Sequence, residues 1–75
     1  MSEIERLHWW LEEQAVPHRV TDNLVAVPDT GTPKILVTDA GGGKLNYWAG
    51  GSEEEPKSPQ WCLLKIMKDW DGGKG

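Results

Sequence analysis

Three side chains in this 75-residue chain are strong ligands for transition metals: His8, His18 and Cys62. Their spacing matches none of the compact zinc patterns, and a structural zinc site normally takes four ligands. We therefore expect no metal and no other cofactor. His8 is expected at the edge of a helix and His18 in the loop that follows it.

Cys62 is the one residue that could act as a thiolate nucleophile. It falls in the first turn of a predicted helix, where the helix dipole can lower the pKa of a thiol. This gives one alternative function, a small thiol-dependent enzyme or redox protein. Cys62 also lies at the edge of that helix's apolar face, where cysteine commonly packs as a small apolar side chain.

The other catalytic patterns in the sequence are incomplete. Asp22, Asp29 and Asp39 stand in turn-like surroundings, where aspartate is expected for backbone reasons. The glycine-rich segment 38–45 lacks the first glycine and the final Ser or Thr of a phosphate-binding loop, and no helix follows it. The sequence therefore predicts a protein that is not an enzyme.

The charge balance disfavours nucleic acid as a partner. Eight Lys and Arg against twelve Asp and Glu give a formal charge of −4 and a pI near 5.0. Binding to the phosphate backbone needs a basic patch, so weak binding of single strands through aromatic rings is only the third alternative. The run Glu53, Glu54 and Glu55 is interpreted as a solvated loop.

Two helices are predicted from capping signals and a 3.6-residue apolar period. The first runs from Glu3 to Ala15, after Ser2 as N-cap, and Pro17 is expected to end it. The second runs from Pro59 to about Trp70, with Ser58 as its N-cap. The apolar faces expected to point to the core are Ile4, Leu7, Leu11 and Ala15 in the first helix and Leu63, Ile66, Met67 and Trp70 in the second.

Between the helices the apolar period changes from 3.6 to 2, which predicts three strands joined by turns. The strands are Leu24–Val27, Lys34–Asp39 and Lys44–Ala49. Alternation gives the sheet a more apolar face, which the helices should cover, made of Val25, Val27, Ile35, Val37, Leu45 and Tyr47. On the opposite face, Leu24, Leu36 and Trp48 are expected to form an apolar band across the sheet.

The predicted fold is α+β, a three-stranded antiparallel meander sheet with two helices packed on one face, in the order α-β-β-β-α. One domain should span residues 1–71, and residues 72–75 should form a disordered tail. Double-stranded-RNA-binding domains share this order of elements. They carry a basic cluster at the start of the second helix, where this chain has its acidic run, so no residue or activity is carried over from them.

Five of the six aromatic residues are tryptophan, and two of these interrupt polar helix faces. These two are Trp9 and Trp61. Because tryptophan is enriched at interface hot spots, we expect a protein-binding or self-associating module. Its expected contact residues are Trp9, Trp61, Trp48, Leu24, Leu36 and Lys65.

The competing interpretation of the two tryptophans is intramolecular. Trp61 would pack under the stem of Lys65 with help from a cation–π contact, and Trp9 would be covered by the segment Val16–Asn23 or by the tail. The location expected for the protein is the cytoplasm, because a single cysteine fits a reducing compartment and no apolar run approaches the ~18 residues of a membrane span.

Overall fold

The computed structural model describes residues 2–70, which form two helices and a five-stranded sheet. The strands are antiparallel neighbours in chain order, so the sheet is a meander. The predicted α+β class is confirmed, but the prediction of three strands is wrong. The tail expected at 72–75 lies outside the described residues. The elements are α1 Glu3–Glu13, β1 Arg19–Thr21, β2 Leu24–Val27, β3 Ile35–Gly41, β4 Lys44–Ala49, β5 Ser52–Lys57 and α2 Pro59–Asp69.

The two strands absent from the prediction are the two edges of the sheet. β1 pairs with β2 around the turn at Asp22, which adopts a φ of 50°. β5 pairs with β4 around Gly50 and Gly51, whose φ values of 59° and 86° suit a two-residue hairpin turn. The run Glu53–Glu55 is therefore part of an edge strand and not a loop. Five strands, and not three, therefore lie between the two helices in the chain.

Both helix N-termini have the predicted caps. The Glu5 N–H donates to Ser2 Oγ at 3.1 Å, and the Ser2 N–H donates to Glu5 Oε1 at 3.2 Å, which completes a capping box. At α2, the Trp61 N–H donates to Ser58 Oγ at 3.2 Å, with Pro59 in the first helical position. These contacts fix where each helix begins.

Helix α1 ends two residues earlier than predicted. Ala15 has a φ of 58°, its N–H donates to the Glu12 carbonyl, and the Val16 N–H donates to the Leu11 carbonyl. This is the hydrogen-bond pattern of a Schellman ending, with alanine in the left-handed position that usually holds glycine. The chain is therefore reversed before it reaches Pro17, so the proline is not what ends the helix.

The core lies between the helices and one face of the sheet. The face predicted to be covered is buried, since every one of its six residues is at most 2% exposed. Two predicted core residues are exposed: Ala15, because it lies beyond the helix end, and Met67, which is 39% exposed. Leu63 and Trp70 are only partly buried, against the edge of the core. The core cluster consists of Ile4, Leu7, Leu11, Val16, Val25, Val27, Ile35, Val37, Leu45, Tyr47, Cys62 and Ile66.

Neither helix within residues 2–70 combines the length and the apolar character needed to cross a bilayer.

Candidate interaction surface

The face of the sheet opposite the core carries a row of side chains that crosses all five strands. Strand register places Arg19 beside Ala26, Ala26 beside Leu36, Leu36 beside Trp48, and Trp48 beside Glu53. Residues paired in this way project from the same face. We call these five residues the open-face row. Among residues 2–70, all the buried helix residues except Pro59 belong to the core on the other side of the sheet.

The centre of the open-face row is apolar and only partly covered. Ala26 is buried between its larger neighbours, whereas Leu36 and Trp48 are half-buried. None of these three residues belongs to the core cluster on the other face of the sheet. Leu36 and Trp48 therefore keep apolar surface that a second molecule could cover.

The predicted band of Leu24, Leu36 and Trp48 is only partly correct. Leu36 and Trp48 are direct neighbours, but Leu24 pairs with Thr38 in the next row. That row is more polar, since Asn46 Nδ2 donates to Thr38 Oγ1 at 3.3 Å. Leu24 lies diagonal to Leu36 and borders the apolar centre without continuing it.

The ends of the open-face row carry opposite charges. Arg19 lies on the β1 edge and Glu53 on the β5 edge, and both are exposed. Successive strands are about 4.8 Å apart, so the two charges are separated by roughly 19 Å. The row is thus positive at one end, apolar in the middle and negative at the other end.

The two edges of the sheet are poor sites for another chain to add as a strand. β1 is three residues long, and β5 contains three consecutive glutamates and Pro56, which has no N–H to donate. Short, charged and proline-containing edges disfavour strand addition. Addition of another chain at either edge is therefore disfavoured.

An open cavity of about 600 Å³ adjoins the row where β3 and β4 meet the end of α2. Trp48 forms one wall and Trp70 another, and Lys34 Nζ lies 5.7 Å from the centre of the Trp70 ring. The cavity extends the accessible apolar surface around Trp48 past the end of the sheet.

Trp9 projects from the outer side of α1 and is 56% exposed. Its nearest aromatic neighbour is His8, with ring centroids 5.0 Å apart. The segment Val16–Asn23 does not cover the ring. Trp9 is therefore available for contact, but on the helix side of the molecule and away from the open-face row.

Trp61 is half-buried and packs against the core. Its ring lies edge-on to Tyr47, with centroids 5.4 Å apart at 89°, and Lys57 Nζ lies 5.4 Å from the ring centre. Lys65 Nζ lies 3.8 Å from Asp69 Oδ1, so the ammonium group nearest the ring centre in the described part of the chain is that of Lys57. The lysine over Trp61 comes from β5, the strand that the sequence did not predict.

Tyr47 anchors the same region through its hydroxyl group, which donates to Asp69 Oδ2 at 2.8 Å. Burial raises the pKa of Tyr47 well above its ordinary value, and the hydrogen bond to Asp69 and the charge of that carboxylate raise it further. Tyr47, Trp61 and Asp69 together hold α2 against the sheet.

Cys62 is fully buried in the core. Burial raises the pKa of its thiol to about 11, because the thiolate would lose its hydration. The thiol is therefore neutral near pH 7 despite its place in the first turn of α2. The geometry gives no support to the alternative of a thiol-dependent enzyme.

The structure brings His8 and His18 together, with His8 Nδ1 2.8 Å from His18 Nε2. Glu12 completes a cluster of three, and Cys62 is not part of it. Glu12 was not predicted as a ligand, because imidazoles and thiolates are the stronger ligands for transition metals. The spacing of four residues between His8 and Glu12, which places both on one helix face, was the available signal.

No protein-family model, no curated protein and no solved structure matches this chain.

Proposed function

We propose that this protein is a non-catalytic interaction module that self-associates through the open face of its sheet. The observation that supports the proposal is the open-face row, whose apolar centre is flanked by charges of opposite sign. The partner proposed is a second copy of the chain. The cytoplasm is the location proposed with it.

A second copy fits the row because the row is complementary to itself. If a two-fold axis runs parallel to the strands between two facing sheets, β1 of one copy lies over β5 of the other. Arg19 then faces Glu53 of the second copy twice, Leu36 meets its own counterpart in the middle, and Trp48 faces Ala26 of the second copy. A two-fold axis across the strands would instead place Arg19 over Arg19, so the charges select the first arrangement.

The size of the face indicates a weak, reversible dimer. Five strands by about five residues give roughly 20 × 17 Å, or about 350 Å² per copy. Stable complexes bury about 800 Å² per partner, so this contact belongs to the transient class. We expect a dissociation constant of roughly 10–500 μM.

Trp9, Trp61 and Lys65 have a different place in this proposal. All three lie on the helices, on the side of the sheet that holds the core. They do not contact the second copy. Trp9 is the most exposed of the three, and we propose it as a contact for a different protein. The dimer would then present two Trp9 rings.

The proposal is tested by analytical ultracentrifugation of two matched variants. Leu36→Asp places a charge in the centre of the open-face row, whereas Leu64→Asp makes the same change on α2, where Leu64 is 69% exposed. We expect Leu36→Asp to remain monomeric at concentrations where Leu64→Asp and the parent chain dimerise. Equal association of the two variants would contradict the proposal, and circular dichroism checks that both are folded.

Nucleic-acid binding remains the less supported alternative. The open face has Glu53 at one end, and the same edge strand, β5, carries two further glutamates. Stacking of bases on Trp48 would bring phosphates close to these carboxylates. Retention on single-stranded DNA at low salt would favour this alternative over self-association.

A further inference from the structure

We infer that His8, Glu12 and His18 form a binding site for a divalent transition-metal ion of the zinc class. The site lies on the helix side of the molecule, so it is independent of the proposed self-association. The ligand atoms of the three side chains all lie within 4.8 Å of one another.

The fold builds this cluster with the ending of α1. His8 and Glu12 are four residues apart on the helix and therefore share a face. The left-handed residue Ala15 then reverses the chain, which returns His18 to that face. The His18 side chain is only 2% exposed, so its position is fixed by packing.

The hydrogen bonds of His18 leave one ring nitrogen free to ligate. Its Nδ1 lies 2.7 Å from the Val16 carbonyl, which can only accept, so Nδ1 carries the proton. Nε2 of the neutral ring then holds a lone pair, directed toward His8 Nδ1 at 2.8 Å and Glu12 Oε2 at 3.6 Å. Metal-binding histidines commonly donate their second ring N–H to a backbone carbonyl in this way.

Two of the three separations between the ligand atoms are close to those of a zinc coordination sphere. Bonds of about 2.0–2.1 Å in a tetrahedral arrangement place neighbouring ligand atoms about 3.3 Å apart. The distance from His18 Nε2 to Glu12 Oε2 already satisfies this, and the two imidazoles need to separate by roughly half an ångström. His8 would carry its proton on Nε2 instead of Nδ1, so that Nδ1 is free to ligate.

Two imidazoles and a carboxylate leave the fourth position of a zinc ion for water. The Glu12 side chain is 57% exposed, which provides a route for the ion from solvent. A bound ion would join α1 to the segment that leads into β1. It would therefore stabilise the folded chain, because the unfolded chain does not hold the three groups together.

The test is isothermal titration of the full chain with zinc chloride at neutral pH, supported by thermal unfolding with and without zinc. We expect a dissociation constant in the micromolar range and a higher unfolding temperature in about 100 μM zinc.

Variants at the less buried positions keep the fold intact during this test. We expect His8→Ala to weaken zinc binding by at least about thirtyfold and Glu12→Gln by at least about fivefold. Glu13→Gln removes the same charge from the neighbouring, exposed position and should change the affinity less than about twofold. Absence of zinc binding in the parent chain, or equal affinities of Glu12→Gln and Glu13→Gln, would overturn the inference and leave a hydrogen-bonded histidine pair.

Discussion

Reversal of the charge at one end of the open-face row should weaken self-association, and reversal at both ends should restore it. Arg19→Glu would place two glutamates opposite each other at both ends of the dimer. An exposed ion pair contributes about 0.2–1 kcal/mol, and like charges in the same position cost a similar amount. Because an attraction is lost and a repulsion gained at each of the two ends, the change is about 1–4 kcal/mol, or roughly 5–900-fold in the dissociation constant.

Sedimentation equilibrium at low salt measures this change directly. The double variant Arg19→Glu with Glu53→Arg exchanges the two charges and should bind itself within a few-fold of the parent chain. Arg6→Glu is the matched control, since Arg6 is exposed on the outer side of α1. The two-fold arrangement would be refuted if Arg19→Glu behaved like Arg6→Glu, or if the double variant associated no better than the single one.

Three further predictions concern the fold. Ala15→Gly should stabilise the protein by about 0.5–1 kcal/mol in urea unfolding, because glycine adopts a φ of 58° without the steric cost that alanine carries; equal or lower stability would contradict the Schellman ending. Stability should fall as pH rises above 9, since the Cys62 thiol ionises near 9.0 when unfolded but near 11 when folded, and the raised pKa of Tyr47 acts in the same direction. Ionisation of the Cys62 thiol accounts for about 2–3 kcal/mol of the lost free energy of unfolding. Cys62→Ala should therefore make stability less dependent on pH in this range. Acrylamide should quench Trp9 most strongly, since Trp9 is 56% exposed, so Trp9→Phe should remove most of the readily quenched fluorescence.

The three central strands could be predicted from the sequence, because burial of one face of each strand places apolar residues at regular intervals. Each of the strands β2, β3 and β4 has one face in the core, and the alternation of apolar residues identifies that face. Ser2 and Ser58 likewise identify the helix starts, since each satisfies a backbone N–H in the first turn.

The edge strands lack this periodic pattern of apolar residues. The residues of β1 are all exposed, so hydrogen bonding to β2 holds them in the sheet without any apolar alternation. β5 is held in the same way, and its glutamates made it resemble a loop. The residue pairs Asp22-Asn23 and Gly50-Gly51 were the available signals, since residues of these types favour the positive φ values of hairpin turns. Asp22 and Gly50 do adopt positive φ values.

The apolar residues of the candidate surface could be predicted from the sequence, but their neighbours across the strands could not. Leu24, Leu36 and Trp48 were correctly assigned to one face by alternation, but the turns and a bulge between Asp39 and Gly41 set which residues are direct neighbours. Arg19 and Glu53 could not be placed at the ends of the row while their strands were interpreted as loops.

The most direct test of self-association through the open face follows the indole N–H signals of the tryptophans by NMR as the protein is diluted from about 1 mM to about 20 μM. Trp48 reports on the open-face row and Trp9 on the outer side of α1, within one sample. We expect the Trp48 signal to shift with concentration while the Trp9 signal stays fixed. A Trp48 signal that does not move over this range, or a shift confined to Trp9, would contradict the account.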